Sequence, residues 1–198
     1  MKSFSVILAF VLVAMTSVQG EADQSSQLLR IHTSSGVIEA QLDSAHAPLT
    51  VTNFLKYVAA GHYTGGQFHR TVKLHPDNQP NSPVKIEVIQ GGVKPELSEK
   101  GWAPITLERT NATGIKHLDG TLSMARAGAD TATSDFFICI GDQPELDFSG
   151  KRNPDGQGFA AFGRVTKGLD VVRKIQGSAA EGQKLTPPIV IERVELVQ

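Results

Sequence analysis

Short apolar segments separated by turn-forming residues account for most of the chain, and only two segments have the spacing of an amphipathic helix. Segments rich in β-branched and aromatic residues predict strands over 28–32, 37–42, 67–72, 85–90, 121–125, 135–140, 161–165 and 189–196. Because these strands never alternate with helices as repeated β-α-β units, the pattern argues against a parallel doubly wound sheet. It favours a mainly β fold, in which an antiparallel sheet or barrel carries packed helices.

Both predicted helices have an apolar face and a glycine stop. The first begins near Pro48, which suits a first-turn position, and ends before Gly61. Its apolar residues follow an i, i+3, i+4, i+7 pattern: Val51, Phe54, Leu55 and Val58. The second helix is shorter and ends before Gly177, with an apolar face formed by Leu169, Val172 and Ile175. Residues 93–119 have weak periodicity and are predicted to be long loops with short extended pieces.

The amino end has the layout of a secretory signal peptide. Lys2 supplies the positive start, and an almost unbroken apolar run follows over 4–13. Val18 and Gly20 are small residues at the −3 and −1 positions of a cleavage site. The alternative is an uncleaved membrane anchor, but a spanning helix needs about 20 apolar residues and this run is shorter. We therefore expect cleavage after Gly20.

This layout divides the chain into a signal peptide over 1–20, a short polar leader over 21–27 and one folded domain over 28–198. The expected location of the mature protein is periplasmic or secreted, because a signal peptide directs export. After cleavage we expect no stable membrane insertion. We also expect the mature protein to be a monomer.

Charge and cysteine content exclude several classes of function. The 198 residues carry 19 basic and 20 acidic side chains, a net charge of −1, which predicts no nucleic-acid binding because that needs a basic face. Cys139 is the single cysteine, so an internal disulfide is excluded, and its apolar neighbours predict burial. The six histidines have no recognised zinc spacing, and no nucleotide-binding motif is present. We expect neither a metal nor a cofactor.

Five ordered motifs carry a family resemblance. They lie at 67–70 (QFHR), 88–92 (VIQGG), 120–127 (GTLSMARA), 133–138 (TSDFFI) and 159–168 (FAAFGRVTKG). In this order and at these spacings the chain resembles the cyclophilins, a family of peptidyl-prolyl cis–trans isomerases, over nearly the whole mature length. The resemblance implies a closed eight-stranded antiparallel β-barrel capped by two α-helices. Together with the signal peptide, the Met-Ala-Arg sequence is most similar to the exported bacterial subgroup.

The chemistry of such a reaction suits an arginine. Rotation about an X–Pro amide faces a barrier of about 18–20 kcal/mol, and a catalyst has only to bind the twisted amide better than either planar isomer. In the twisted state the proline nitrogen regains a lone pair and can accept a hydrogen bond, for which a permanently charged guanidinium is a suitable donor. The resemblance implies that Arg70 is this catalytic group. Taken without the motifs, Arg70 is better interpreted as a surface salt-bridge partner, and only the motif set favours the catalytic role.

The resemblance also implies the residues that bind the substrate. Phe137 and Met124 are expected in the apolar proline pocket, with Leu146 and Phe159 beside it. Gln90 is expected to hold the substrate carbonyl or to orient the arginine. The remaining positions are a neighbouring ring at Phe68, a site-lining histidine at His69 and a peptide-binding strand edge at Ala125 and Arg126.

The chain departs from the family pattern at several positions. Val88 stands where many members have Met, which keeps the pocket apolar but makes it shallower. Asp135 stands where many have Gln, and its added charge is expected to pair with Arg70 or Arg126. The tryptophan that drug-sensitive members carry near Leu146 is absent. The loop over 73–83 is longer than the resemblance leads us to expect, and it is predicted to form a rim on the site.

Two functions from different classes remain open at this point, with a third from the barrel shape alone. The first is a prolyl isomerase that assists folding of exported proteins, with proline-containing peptides and unfolded exported chains as partners. The alternative is a peptide-binding or chaperone module with weak or incidental isomerase activity. The third is a carrier of small apolar ligands, which predicts a roomy, apolar barrel interior.

Overall fold

The structure is a computed structural model that describes residues 26–197. The predicted signal peptide and most of the polar leader lie outside the described residues. The strands are β1 (Ser26–Thr33), β2 (Gly36–Asp43), β3 (Gly66–Val72), β4 (Val88–Gly92), β5 (Thr121–Met124), β6 (Phe136–Cys139), β7 (Ala161–Lys167), β8 (Ala180–Glu181) and β9 (Lys184–Leu196). The helices are α1 (Pro48–Ala59), α2 (Thr110–Thr113) and α3 (Leu169–Gln176).

Eight of these strands close into a barrel. Neighbouring strands follow the order β1-β2-β7-β5-β6-β4-β3-β9, and β9 pairs again with β1 to close the ring. Every pairing is antiparallel, and the two-residue β8 is attached to β9 outside the ring. The prediction of a closed eight-stranded antiparallel barrel is therefore confirmed. The single turn of α2 lies in the region that was predicted to be loop.

Helix α1 begins at Pro48 as predicted, and its first turn is completed by a distant carboxylate. The backbone N–H groups of Leu49 and Thr50 donate to the two oxygens of Glu108, at 3.1 and 2.7 Å. An acidic group stabilises a helix N-terminus because the first N–H groups have no partner within the helix. The buried face includes Tyr57 where the periodicity favoured Val58, which is only half-buried. None of the helices within residues 26–197 is long and apolar enough to span a membrane.

Side chains fill the barrel interior. Inward-pointing and outward-pointing residues alternate along the regular stretches of strand, and the inward-pointing apolar residues of β1 and β2 are completely buried. Phe54 of α1 joins this core, where its ring lies 5.4 Å from that of Phe136 and 5.1 Å from that of Phe162. Tyr63 packs against the rings of Phe54 and Phe136. This filled interior argues against a carrier of small apolar ligands.

One predicted strand begins later than expected. The pattern predicted a strand over 85–90, but β4 begins at Val88. Ahead of it, the backbone of Ile86 is paired with a side chain: the amide of Gln79 donates to the Ile86 carbonyl at 2.8 Å and accepts from its N–H at 3.1 Å. The buried amide of Gln79 therefore takes the place of a neighbouring strand, and residues 73–87 form an ordered loop.

We predict that Phe54→Ala lowers the free energy of unfolding by about 3–5 kcal/mol, because it leaves a cavity among packed aromatic rings. The matched control is Leu49→Ala in the same helix, where the side chain is 53% exposed and a change within about 0.5 kcal/mol is expected. Urea unfolding followed by circular dichroism measures both. Equal losses in the two variants would contradict this account of the core.

Candidate functional site

A β-bulge in β3 separates the barrel interior from the site. Phe68 pairs with Gly91 and Arg70 pairs with Gln90, so the register shifts by one residue at His69. In a regular strand Phe68 and Arg70 would point to the same face, because side chains alternate with a period of two. The extra residue reverses this alternation. Phe68 is completely buried in the barrel core, whereas Arg70 lines a cavity on the outer surface.

The cavity has a volume of about 520 Å³ and an apolar floor. Val88 and Phe137 point outward from β4 and β6, while Leu146 comes from the loop after β6. The ring of Phe159 meets that of Phe137 edge-on at 5.5 Å. These residues belong to a second apolar cluster, distinct from the barrel core, in which Cys139 is buried as predicted.

Arg70 forms the polar side of this cavity, and two glutamines hold its guanidinium. Its Nη1 donates to Oε1 of Gln90 at 2.8 Å. Its Nε and Nη2 both donate to Oε1 of Gln183, at 2.9 and 2.7 Å. Burial, with a smaller contribution from the charge of Arg152, lowers the pKa of Arg70, but an arginine remains protonated at any physiological pH. The site therefore presents a fixed positive charge beside an apolar surface.

Asp135 contacts neither of the arginines with which it was expected to pair. Its Oδ2 accepts from Nε2 of Gln90 at 3.1 Å and lies 3.6 Å from Nε2 of His69. The side chain packs over Gly92, where a Cβ atom would collide with the carboxylate. The absence of a side chain at Gly92 thus lets Asp135 reach Gln90, and Asp135 acts on Arg70 only through that amide.

Arg126 is paired elsewhere on the cavity rim. Its two terminal nitrogens donate to the carboxylate of Asp155, at 2.7 and 2.9 Å, and its Nε donates to the carbonyl of Gly158 at 2.7 Å. The side-chain hydrogen bond from Arg126 lowers the pKa of Asp155 to about 2. The guanidinium also lies 4.9 Å from the centre of the Phe159 ring. Arg126 therefore connects the end of β5 to the loop that carries Asp155 and Gly158, and the carboxylate of Asp155 neutralises its charge.

The structure brings most of the predicted site residues to one cavity but not all of them. Its lining contains Arg70, Val88, Gln90, Ala125, Arg126, Asp135, Phe137, Leu146 and Phe159. Met124, which was expected in the proline pocket, and Phe68, which was expected beside the site, both lie in the barrel core instead. Met124 pairs with the inward-pointing Phe136, and strand alternation directs both side chains inward. His69 is at the bulge and contacts Asp135 without lining the cavity.

Several lining residues were not predicted, either because they come from loops between the motifs or, for Ala127 and Thr133, because they lie at the end of a motif. They are Ile86, Ala127, Thr131, Thr133, Arg152 and Asn153. Arg152 joins two loops, since its Nη1 donates to Oγ of Ser82 at 2.5 Å and to the carbonyl of Val84 at 2.6 Å. No periodicity or motif marks such a residue, because its role depends on two loops that are far apart in the chain.

A buried histidine supports Phe137 from below. The ring of His117 stacks on that of Phe137 with centroids 6.0 Å apart. Its Nδ1 lies 2.8 Å from Oδ1 of Asp147 and its Nε2 lies 2.9 Å from Oγ of Ser123. The order Ser, His, Asp is that of a nucleophilic triad. However, Ser123 is completely buried and His117 is 1% exposed, so a substrate cannot reach the hydroxyl and the cluster is structural.

The comparisons with known proteins agree on one family. Residues 28–196 match the family model described as "Cyclophilin type peptidyl-prolyl cis-trans isomerase/CLD". The chain is 37% identical over 176 residues to peptidyl-prolyl cis-trans isomerase cyp18 of Streptomyces antibioticus, covering 85% of this chain and 98% of that protein. It is 36% identical over 186 residues to peptidyl-prolyl cis-trans isomerase A of Dickeya dadantii, covering 89% and 88%. A crystal structure of a cyclophilin-type isomerase from Cryptosporidium parvum superimposes with a TM-score of 0.69 at 23% identity, covering 87% and 98%.

We predict that Asp147→Asn makes the free energy of unfolding less dependent on pH in the acid range. Burial raises the pKa of Asp147, but hydrogen bonds from the side chain and backbone of His117 outweigh burial, so the pKa in the folded state is lowered. A group of this kind contributes stability above its unfolded pKa of about 4, and that stability is lost as the pH falls. Urea unfolding at a series of pH values between about 5 and 2 measures the slope. A slope equal to that of the wild type would contradict the prediction.

Proposed function

The chain belongs to the cyclophilin-type peptidyl-prolyl cis–trans isomerases, and we propose that Arg70 is its catalytic group and that its clients are proline-containing segments of exported proteins. The family model covers nearly the whole described chain, and its bacterial relatives carry the name of this activity. The reaction is therefore rotation about X–Pro peptide bonds. Uncatalysed, this rotation takes tens to hundreds of seconds.

The arrangement of Arg70 beside the apolar floor is the observation that carries the catalytic proposal. The pyrrolidine ring of proline fits against Val88, Phe137 and Leu146, which line the cavity next to the guanidinium. Burying such a ring contributes about 1–3 kcal/mol to binding. With the ring fixed in this way, the X–Pro bond lies toward the polar side of the cavity. The X–Pro bond then rotates beside the guanidinium of Arg70.

The guanidinium lowers the barrier by binding the twisted amide. When the C–N bond rotates, amide resonance is lost and the proline nitrogen becomes a hydrogen-bond acceptor. A guanidinium has five N–H groups, and Gln90 and Gln183 use three of those of Arg70, one on Nη1, one on Nη2 and the one on Nε. The other two are suited to donate to the nitrogen as its lone pair forms. A donor fixed before the reaction is worth about 2.7–4 kcal/mol of transition-state stabilisation.

Peptides of varied sequence are the proposed substrates. Ala125 and Arg126 follow β5 on the cavity rim, where the family resemblance implies a strand edge that binds the peptide backbone. Backbone contacts of this kind tolerate many side chains. A cyclophilin-type isomerase of Cryptosporidium parvum was solved in the presence of the dipeptide Ala-Pro, which supports the proposal for this chain.

The alternative of a binding module with incidental activity has less support. A carboxylate that neutralised Arg70 would favour such a module, and Asp135 is the residue in the sequence that could supply it. Asp135 is bonded to Gln90 instead, so the positive charge of Arg70 faces the cavity without a carboxylate partner among the described residues. Binding without catalysis does not require a charge in this position.

The proposed location rests on the sequence of residues 1–20. A positive start, an apolar run and small residues at −3 and −1 are typical of a cleaved signal peptide. We propose that the mature protein acts as a monomer in the periplasm or outside the cell. Newly exported chains reach that compartment unfolded, so slow X–Pro isomerisation limits their folding there.

We predict that Arg70→Ala lowers the catalysed rate of cis–trans exchange about 10²–10³-fold, because the fixed donor is lost. Affinity for the peptide should change by less than about fivefold, since the apolar floor remains. Two-dimensional NMR exchange spectroscopy of a short Ala-Pro peptide measures the rate, and a titration measures the affinity. The control is Arg164→Ala, at an exposed position on β7, with wild-type activity expected.

Two results would contradict this assignment. A correctly folded wild-type protein that does not accelerate exchange would overturn the isomerase assignment. Full activity in Arg70→Ala would overturn the role of Arg70 alone.

For the location, we predict that the full-length chain, expressed in a bacterium with two membranes, is recovered from the periplasm with Glu21 as its first residue. Cell fractionation followed by intact-mass measurement of the purified protein tests this. The control is a chain that lacks residues 2–20, which should remain in the cytoplasm. Recovery of the full-length chain in the membrane fraction with its amino end intact would show an anchor.

A further inference from the structure

Gln183 holds one edge of the catalytic guanidinium. It lies in the turn between β8 and β9, and its single side-chain oxygen accepts from both Nε and Nη2 of Arg70. Gln90 holds the opposite nitrogen, Nη1. A planar group bonded at both ends has its plane and its rotation fixed. The direction of the two remaining N–H groups therefore depends on both glutamines.

Gln183 is itself fixed by the loop over 73–83. The side-chain Nε2 of Gln183 donates to the backbone carbonyl of Asn78 at 3.0 Å. The backbone carbonyl of Gln183 accepts from the N–H of Thr71 at 2.8 Å. The side chain of Asn78 donates to the carbonyls of Thr71 and Gly182, at 2.9 and 3.0 Å. The side chain of Gln183 is thus oriented before it meets Arg70, and the loop makes the bond that orients it.

Gln183 lies behind Arg70 and does not line the catalytic cavity. It lines a separate open depression of about 480 Å³ together with the loop residues 78–83. A substrate in the catalytic cavity therefore meets Gln183 only through Arg70. This placement distinguishes a group that positions the arginine from a group that binds the peptide.

We propose that Gln183, oriented by the backbone of Asn78, is a positioning residue that aims the guanidinium of Arg70 at the twisted amide. Without it, the long and flexible side chain of Arg70 is bonded at one end only and adopts several orientations. Catalysis by a fixed donor depends on its being in place before the amide twists. The long loop over 73–83 therefore contributes to the reaction rate although none of its residues lines the cavity in which the amide rotates. This inference rests on the isomerase activity and is independent of where the clients are met.

The test compares three variants of the whole protein. Gln183→Met keeps the size of the side chain but removes the acceptor, and it should lower the catalysed exchange rate by roughly tenfold with peptide affinity unchanged within about twofold. Gln183→Glu keeps an acceptor for both N–H groups, so the exchange of the Arg70 Nε–H with water should stay within about threefold of the wild type, while the added negative charge should lower the catalysed rate. The control, Gln41→Met at an exposed position on β2, should be indistinguishable from the wild type.

A spectroscopic readout distinguishes positioning from a general loss of structure. In the wild type the Nε–H of Arg70 is bonded to Gln183, so its exchange with water is slow, whereas in Gln183→Met this exchange should be at least about tenfold faster. Unfolding midpoints show whether each variant is folded. Because the proton measurement needs no turnover, it tests the positioning role even if the wild type proves inactive.

Two outcomes would overturn the proposal. The first is that the Nε–H of Arg70 exchanges with water as slowly in folded Gln183→Met as in the wild type. The second is a loss of peptide affinity that equals the loss of rate, because that result would place Gln183 in binding.

Discussion

The bulge at His69 is the constraint on which the rest of the site depends. Without it, Arg70 would follow Phe68 into the barrel, where a guanidinium would be buried without a carboxylate partner, at a cost that no small domain tolerates. With it, one strand supplies an aromatic ring to the core and a charged donor to the outer face within three residues. The opposite strand β4 stays regular, so Gln90 and Val88 share the outer face with Arg70.

The site rests on its own apolar cluster. Phe137 is 5% exposed and lies between the cavity and the buried His117, which Asp147 and Ser123 hold on both ring nitrogens. These contacts restrict the ring of Phe137 from the side opposite the cavity. Rigid support matters here because the enzyme forms no covalent bond, and its rate depends on small differences in fit between planar and twisted amides.

Arg70 is held by amides, and this choice has an electrostatic consequence. A carboxylate in the place of Gln90 or Gln183 would bind the guanidinium more tightly, but it would also neutralise the charge that the twisted amide needs. Amide oxygens orient the group and leave its charge undiminished. The carboxylate of Asp135 lies one hydrogen bond further away, behind Gln90, where it orients that amide without pairing with the arginine.

The sequence by itself determined the class of fold and the main members of the site. Short apolar segments predicted six of the eight barrel strands to within two residues at each end, and the ordered motifs indicated Arg70, Gln90 and Phe137, because these features are local in the chain. Only the tertiary structure decided which face each side chain occupies. A single extra residue in β3 reverses the alternation after Phe68, and the pairing of β5 with β6 turns Met124 inward.

The tertiary structure also revealed the supporting residues. Gln183 is 113 positions from Arg70, and Arg152 is 70 positions from Ser82. His117 reaches Phe137 from a loop that has no periodic pattern. These contacts could not be predicted, because isolated polar residues in loops acquire partners only when the barrel closes and brings distant segments together.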